Sequence, residues 1–156
     1  MGNRAVISFK DDYYKEEDSP SIYLHWQGGR DSVEAFLDAS KRLGIRGNDS
    51  TYCMARMTQI ISNWLGGGQT GIGIGCYSNL DTNNGDNGTY WIKNFEIVGR
   101  EFFRGEEQKE HDHEEFVQEI LKANEPIFGK VIPDILCKGD IVSESELDSL
   151  LGEVKS

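Results

Sequence analysis

The sequence contains little of what secreted, metal-binding or membrane proteins need. Its 156 residues include only three cysteines, three prolines and three histidines. Cys53, Cys76 and Cys137 lie far apart and match no metal-ligand spacing, so we expect reduced thiols and no metal or other cofactor. The opening residues MGNRAVISF lack the layout of a signal peptide. Because no apolar run approaches the ~20 residues that cross a bilayer, we expect a cytoplasmic protein without a membrane partner.

Motifs of nucleophilic catalysis and of phosphate transfer are missing as well. No Gly-x-Ser-x-Gly sequence occurs, and the glycine-rich stretch GGGQTGIGIG lacks the Gly-Lys-Ser/Thr ending of a P-loop. That stretch follows a helical pattern, so we interpret it as a helix end followed by a strand with one nearly bare face. The sequence HDHEE at 111–115 is typical of a solvated acidic helix face. The sequence therefore predicts no catalytic residue and no metal site.

Positively charged residues are also few, and they are distributed unevenly along the chain. The net charge is −11. Residues 1–100 carry ten Lys and Arg against twelve Asp and Glu, whereas residues 101–156 carry six against fifteen. Duplex nucleic acid needs a sustained basic surface, so we exclude it as a partner. A compact anion held by a few arginines within the first hundred residues remains possible.

Apolar periodicity divides the chain into strands and helices. We predict strands at 4–9, 22–26, 70–77, 89–92 and 95–103. We predict helices at 31–43, 50–65, 106–124 and 145–151. Together these elements predict one α+β domain over residues 1–156, with an antiparallel sheet, two central helices and an acidic C-terminal helical segment. Within it we expect a ligand-binding core at 1–104 and an acidic extension at 105–156.

The stretch HWQGGRDS, residues 25–32, has the residue types of an anion-binding turn. Gly28 and Gly29 permit unusual backbone conformations, and the helix that follows directs free N–H groups at the turn. Such a terminus favours negative charge. Arg30 adds a planar fork that suits phosphate oxygens, and Trp26 adds a ring for stacking. The alternative is a simple strand–turn–helix corner without a ligand.

Several stretches together resemble the phage Thoeris anti-defence sponges, a family of small, mostly phage-encoded proteins. They are MGNRAVISF, IYLHWQGGRDSVEAFL, YCMARMTQIISNWLGGG and LDTNNGDNGTYWI with FEIVGREFF. The resemblance covers roughly the first two-thirds of the chain and implies a non-catalytic multimer in an infected bacterial host. Its members bind cyclic ADP-ribose isomers, and some bind cyclic oligonucleotides, so the implied partner is a small phosphate-bearing nucleotide.

Residue types on neighbouring predicted elements complete the hypothesis of a ligand site. Arg30 and Arg56 are expected to hold phosphate, and Trp26 and Tyr90 to offer stacking surfaces. Gly28 and Gly29 are expected to supply backbone donors, and Asn84 and Asn87 to contact polar edges of the ligand. For Arg56 a plain charge on a helix surface is at least an equal alternative.

Two other functions and one assembly remain open from the sequence. His25 could act as the base of a hydrolase that cleaves such a signal. The acidic tail could instead make the protein an inhibitor that mimics nucleic acid. The glycine-lined strand at 70–77 and the wide apolar stripe of the helix at 50–65 predict a homodimer or a multiple of dimers. In that assembly we expect the ligand near the subunit boundary.

Overall fold

The computed structural model describes residues 3–66 and 71–131 and divides them into five strands and three helices. The strands are β1 (Ala5–Phe9), β2 (Pro20–Leu24), β3 (Ile72–Cys76), β4 (Thr89–Lys93) and β5 (Glu96–Glu101). The helices are α1 (Arg30–Arg42), α2 (Ser50–Leu65) and α3 (His113–Phe128). The predicted α+β class is confirmed. The predicted helix at 145–151 and Cys137 lie outside the described residues.

The five strands form one sheet in the order β3-β2-β1-β4-β5. The prediction of an antiparallel sheet is only partly right, because β1 and β4 pair in parallel, from Val6 opposite Thr89 to Phe9 opposite Ile92. The other three pairings are antiparallel. A parallel pair needs a connection that returns the chain to the starting end of the sheet. The loop between β3 and β4 does this, and its turn-rich sequence did not reveal its direction.

The helices cover the sheet face that carries Ile7, Ile22 and Ile92, all of which belong to the main apolar core. α2 begins after Asp49, whose carboxylate accepts a hydrogen bond from the Tyr52 amide at 3.2 Å, as helix caps do. Phe36 of α1 and Trp64 of α2 both pack against Phe116 of α3, with ring centroids 5.6 and 4.9 Å away. This aromatic cluster joins the three helices.

α3 differs from the prediction in its start and in its role. It begins at His113 instead of 106, because the Asp112 carboxylate caps it by accepting a hydrogen bond from the Glu115 amide at 3.1 Å. Its buried residues Phe116 and Val117 lie in the same core as the sheet. The described part of the predicted acidic extension therefore packs into the hydrophobic core of the domain. No helix of the described residues is long and apolar enough to cross a membrane.

Candidate functional site

The turn between β2 and α1 is the corner that the sequence singled out, and Gly28 fixes its shape. The Gly28 amide donates to the Asn3 carbonyl at 2.8 Å, and the Gly28 carbonyl accepts from the Tyr90 hydroxyl at 2.7 Å. A Cβ at Gly28 would lie 2.5 Å from that Asn3 oxygen and 2.7 Å from the Ala5 Cβ, so no larger residue fits. The Gly28 amide is consequently committed to the fold, contrary to its predicted role as a donor to ligand.

The N-terminus of α1 already has a negative charge beside it, which comes from Asp31. One carboxylate oxygen of Asp31 accepts from the Ser32 amide at 2.8 Å. The other accepts from the amides of Glu110 and His111 at 2.6 and 2.9 Å. Gly29 is the N-cap residue and makes no side-chain cap. Residues 106–111, which we call the acidic strap, therefore attach to this helix end through Asp31.

Arg100 on β5 is the site residue that the sequence did not reveal. Its guanidinium carbon lies 3.9 Å from the centre of the Tyr90 ring and 4.2 Å from that of Phe103. One terminal nitrogen donates to the Asn87 carbonyl at 3.0 Å, and the other donates to the Glu107 carboxylate at 2.7 Å. Its Nε is buried and has no hydrogen-bond partner among the residues described here. The Arg100 side chain is 15% exposed, against 38% for Glu107.

A β-bulge decides on which face of the sheet Arg100 lies. Opposite Trp91 and Ile92, the register of β5 shifts so that Ile97 pairs with Ile92 and Gly99 with Trp91. The extra residue reverses the alternation, because a bulge sets two residues against one. Arg100 therefore pairs with Tyr90 and lies on the same sheet face as Ile97, although the two are three positions apart. Simple alternation places them on opposite faces.

Arg30 lies at the start of α1 and is less enclosed than Arg100. Its Nε donates to the Glu34 carboxylate at 2.9 Å, and its side chain is 43% exposed. The hydrogen bond to Glu34 raises the pKa of Arg30, and the charge of Glu107 adds to this effect. Glu107 thus lies within electrostatic range of Arg30 while it pairs with Arg100. The carboxylate of Glu107 therefore pairs with Arg100, and its charge also reaches Arg30.

Three further predicted residues have structural contacts instead of the expected ligand-facing surface. Tyr90 is fully buried, and Arg100 covers its ring, so it offers no free stacking face; burial also raises the pKa of its hydroxyl. The Asn84 amide nitrogen donates to the carbonyls of Asp81 and Gly88, both at 3.0 Å, which braces its own loop. The Asn87 amide nitrogen donates to the Asn3 side chain at 2.6 Å.

Besides Arg30, two predicted residues keep accessible side-chain surface, and only Trp26 of these two lies on the corner. Trp26 is 50% exposed and turns its ring edge-on to His25, with centroids 4.9 Å apart. Arg56 lies on the exposed side of α2, where it donates to Gln59 at 3.1 Å. None of the contacts recorded for the corner includes Arg56. The alternative reading of Arg56 as a helix-surface charge is the one its contacts favour.

Each of the three histidines in the described residues contacts another side chain. His25 is exposed, and its Nδ1 lies 2.9 Å from the Tyr23 hydroxyl. His111 stacks flat on Phe116 with ring centroids 3.9 Å apart, and His113 pairs with Asp38 at 2.7 Å. No group of three or more His, Cys, Asp or Glu that could hold a metal occurs within residues 3–66 and 71–131. What the corner offers a ligand is therefore arginine, backbone and aromatic surface.

Comparisons with known proteins add no relative to this picture. No protein-family model matches the chain, no curated protein matches it, and no solved structure matches its fold. The geometry of the corner carries the functional proposal.

Proposed function

We propose that the protein binds a small phosphate-bearing ligand of the cyclic-nucleotide type and sequesters it without changing it chemically. The observation that carries the proposal is Arg100, a mostly buried guanidinium between two aromatic rings with an Nε that no described residue satisfies. Buried donors without partners are rare in proteins and call for an explanation. A guanidinium matches phosphate oxygens in geometry and charge. Arg100 thus keeps one donor, its Nε, that a bound anion could use.

The neighbouring residues suit the rest of such a ligand. Arg30 adds a second positive charge, and its partly exposed side chain can turn toward a phosphate at little cost. The half-exposed ring of Trp26, on the same turn, offers a face for a nucleobase. Asn87 acts through its carbonyl, which holds the Arg100 guanidinium in position. Together these residues can bind a nucleotide by charge and stacking, without a general base or a metal ion.

The resemblance to the anti-defence sponges supplies the biological setting of the proposal. In that setting the protein acts in the cytoplasm of an infected bacterium and keeps a cyclic ADP-ribose-type signal from its effector. Tight binding without turnover needs no catalytic pair, so we propose that the protein is not an enzyme. The arginines and the aromatic ring of the corner support this role, because they suit the binding of a nucleotide.

A binding experiment with matched arginine variants tests the proposal. Wild type, Arg100→Gln and Arg56→Gln are titrated by calorimetry with cyclic ADP-ribose and, in a separate arm, with a cyclic dinucleotide. A charged hydrogen bond contributes about 1.5–3 kcal/mol, so we expect Arg100→Gln to weaken binding roughly 10- to 100-fold. Arg56→Gln removes the same charge and should bind like wild type. Equal losses in both variants would contradict the site.

A recovery experiment separates sequestration from hydrolysis. The protein is incubated with cyclic ADP-ribose and denatured by heat, and the released molecule is weighed by mass spectrometry. We expect the intact ligand in an amount that matches the bound fraction. Fragments in place of the intact ring would favour the hydrolase alternative, and His25→Gln would then show whether His25 is its base.

We also propose a homodimer, or a multiple of dimers, that pairs at the β3 side of the sheet. β3 is an edge strand, and its Ile74 is 56% exposed, which leaves apolar surface next to unpaired backbone. Light scattering of wild type and Ile74→Lys tests this assembly. We expect a dimer or larger species for wild type and a folded monomer for the variant. A monomeric wild type at micromolar concentration would contradict it.

A further inference from the structure

We infer that the Glu107 carboxylate occupies the position of the ligand's anionic group, and that the acidic strap leaves Arg100 when a phosphate or diphosphate binds. The inference rests on the proposed function and specifies how the site opens. Its basis is the pairing of an enclosed arginine with a carboxylate on an exposed segment without regular structure.

The strap is held at its two ends and has few contacts between them. Near its start the Arg104 amide donates to the Asp86 carbonyl at 3.3 Å, and Gly105 has a φ of +103° that favours glycine. At its end the amides of Glu110 and His111 bind Asp31. Within the described residues, 105–109 make no backbone-to-backbone hydrogen bond. No regular structure therefore holds the strap on Arg100, and the hydrogen bonds of Glu110 and His111 to Asp31 are the ones that open when the strap leaves.

The negative charges of the strap do not prevent a phosphate from displacing Glu107. Glu106, Glu107 and Glu110 give the strap three negative charges against the one positive charge of Lys109, and all four residues are exposed. Exposed ion pairs are weak because water and salt screen them. A phosphate carries more charge than one carboxylate and has more acceptor oxygens for the arginines. It can displace Glu107, and it then repels the remaining acidic side chains from the site.

This arrangement makes Glu107 an internal competitor that lowers the apparent affinity for ligand. A site that is open for only a fraction of the time binds more weakly by that fraction. Removal of the Glu107 charge should therefore strengthen binding, whereas removal of a carboxylate from an ordinary arginine pair should not. Glu114 is the matched control, because it forms a similar pair with Arg42, at 2.8 Å, away from the corner.

The test measures binding of inorganic pyrophosphate to full-length wild type, Glu107→Gln and Glu114→Gln by calorimetry at constant ionic strength. We expect Glu107→Gln to bind roughly five- to tenfold more tightly than wild type. Glu114→Gln should bind like wild type. In parallel, hydrogen exchange is followed at the amides of Glu110 and His111, which should exchange faster when pyrophosphate is added to wild type.

The outcomes separate this inference from the proposed function. Equal or weaker pyrophosphate binding by Glu107→Gln, or slower exchange at Glu110 and His111 with pyrophosphate, would overturn the displacement of the strap. If the expected pattern appears with pyrophosphate but cyclic ADP-ribose binds to no form of the protein, displacement of the strap is supported and the proposed function is contradicted. If cyclic ADP-ribose binds wild type and Glu107→Gln equally, the proposed function is supported and displacement of the strap is contradicted.

Discussion

Arg42 and Arg100 are both paired arginines, and the difference between their surroundings separates a structural ion pair from a candidate ligand site. Arg42 joins α1 to α3 through two hydrogen bonds to Glu114, both at 2.8 Å, and it also donates to Asp38 on its own helix at 3.0 and 3.1 Å. Both partners lie on helices. Arg100 has one carboxylate partner, which lies on the irregular strap, and its Nε has none among the described residues. An arginine with fixed partners stabilises the fold, and one with an exchangeable partner can receive a ligand.

The largest effect is expected at Gly28, because its substitution disturbs the surroundings of Arg100 and leaves those of Arg42 intact. In Gly28→Ala the new Cβ would overlap the Asn3 carbonyl and the Ala5 Cβ, and the shift would strain the hydrogen bond from Tyr90. We expect the free energy of unfolding to fall by about 1–3 kcal/mol, as for other overpacked sites. Urea denaturation measures this change.

Gly29→Ala is the control for that substitution. Gly29 has a φ of −65°, and its nearest neighbour to a new Cβ is the Asp31 side chain at 3.1 Å, so the neighbour can adjust. We expect a loss of less than about 1 kcal/mol. If Gly29→Ala destabilised the protein as much as Gly28→Ala, close packing at Gly28 would not be what shapes the corner.

A smaller effect is expected at Phe103, whose ring covers one side of the Arg100 guanidinium. Phe103→Leu keeps an apolar side chain and removes the ring, so the cation–π contact at 4.2 Å is lost. Such contacts contribute about 0.5–1 kcal/mol at partly exposed sites, and we expect a loss of that size in urea denaturation. Phe102→Leu is the matched control, since Phe102 is 42% exposed and makes no such contact. Similar losses in both variants would argue against the role of the ring.

The smallest effect is a pH dependence that belongs to the Arg42 pair. Hydrogen bonds from Arg42 lower the pKa of Glu114 to about 2. A carboxyl with a lowered pKa stabilises the fold above its unfolded pKa of about 4.3, and this stabilisation is lost as the pH falls toward 2. Because Glu114 is 58% exposed, screening limits the contribution to about 0.5 kcal/mol.

Thermal unfolding of wild type and Glu114→Gln between pH 7 and pH 2 checks this dependence. We expect wild type to be more stable at pH 7 and the difference to shrink between about pH 4.3 and about pH 2. A difference that persists unchanged to pH 2 would show that the Arg42 to Glu114 pair does not depend on the carboxylate charge.

Local sequence signals predicted most of the elements and missed what depends on distant contacts. The Asp49 cap and the apolar stripe placed α2 at 50–65, as the structure has it, because a cap and a helical period lie within one short segment. The parallel pairing of β1 with β4 joins residues about 83 positions apart, and nothing local encodes its direction. α3 begins later than predicted, because Asp112 caps the helix at His113 although the helical pattern of the sequence begins at 106.

The sequence singled out the turn at Gly28, but the side-chain contacts around that turn differ from the expected ones. Tyr90 contacts this turn at Gly28, whereas Asn87 binds Asn3 through its side chain and Arg100 through its carbonyl. Tyr90 does not have the expected stacking role, because its hydroxyl binds Gly28, 62 positions away, and this contact encloses it. Nothing local in the sequence singles out Arg100, whose side of the sheet is decided by a β-bulge. Side-chain partners from distant segments decide which polar groups stay free for a ligand.

The most direct test of the central claim is the side-chain NMR signal of the arginine Nε–H groups during a titration with pyrophosphate. Signals of Arg100 and Arg42 are assigned with the variants Arg100→Lys and Arg42→Lys. The Arg100 Nε is buried and has no partner among the described residues, whereas that of Arg42 donates to Asp38, so we predict that only the Arg100 signal shifts markedly and saturates. An unmoved Arg100 signal, or equal shifts of both, would contradict the account.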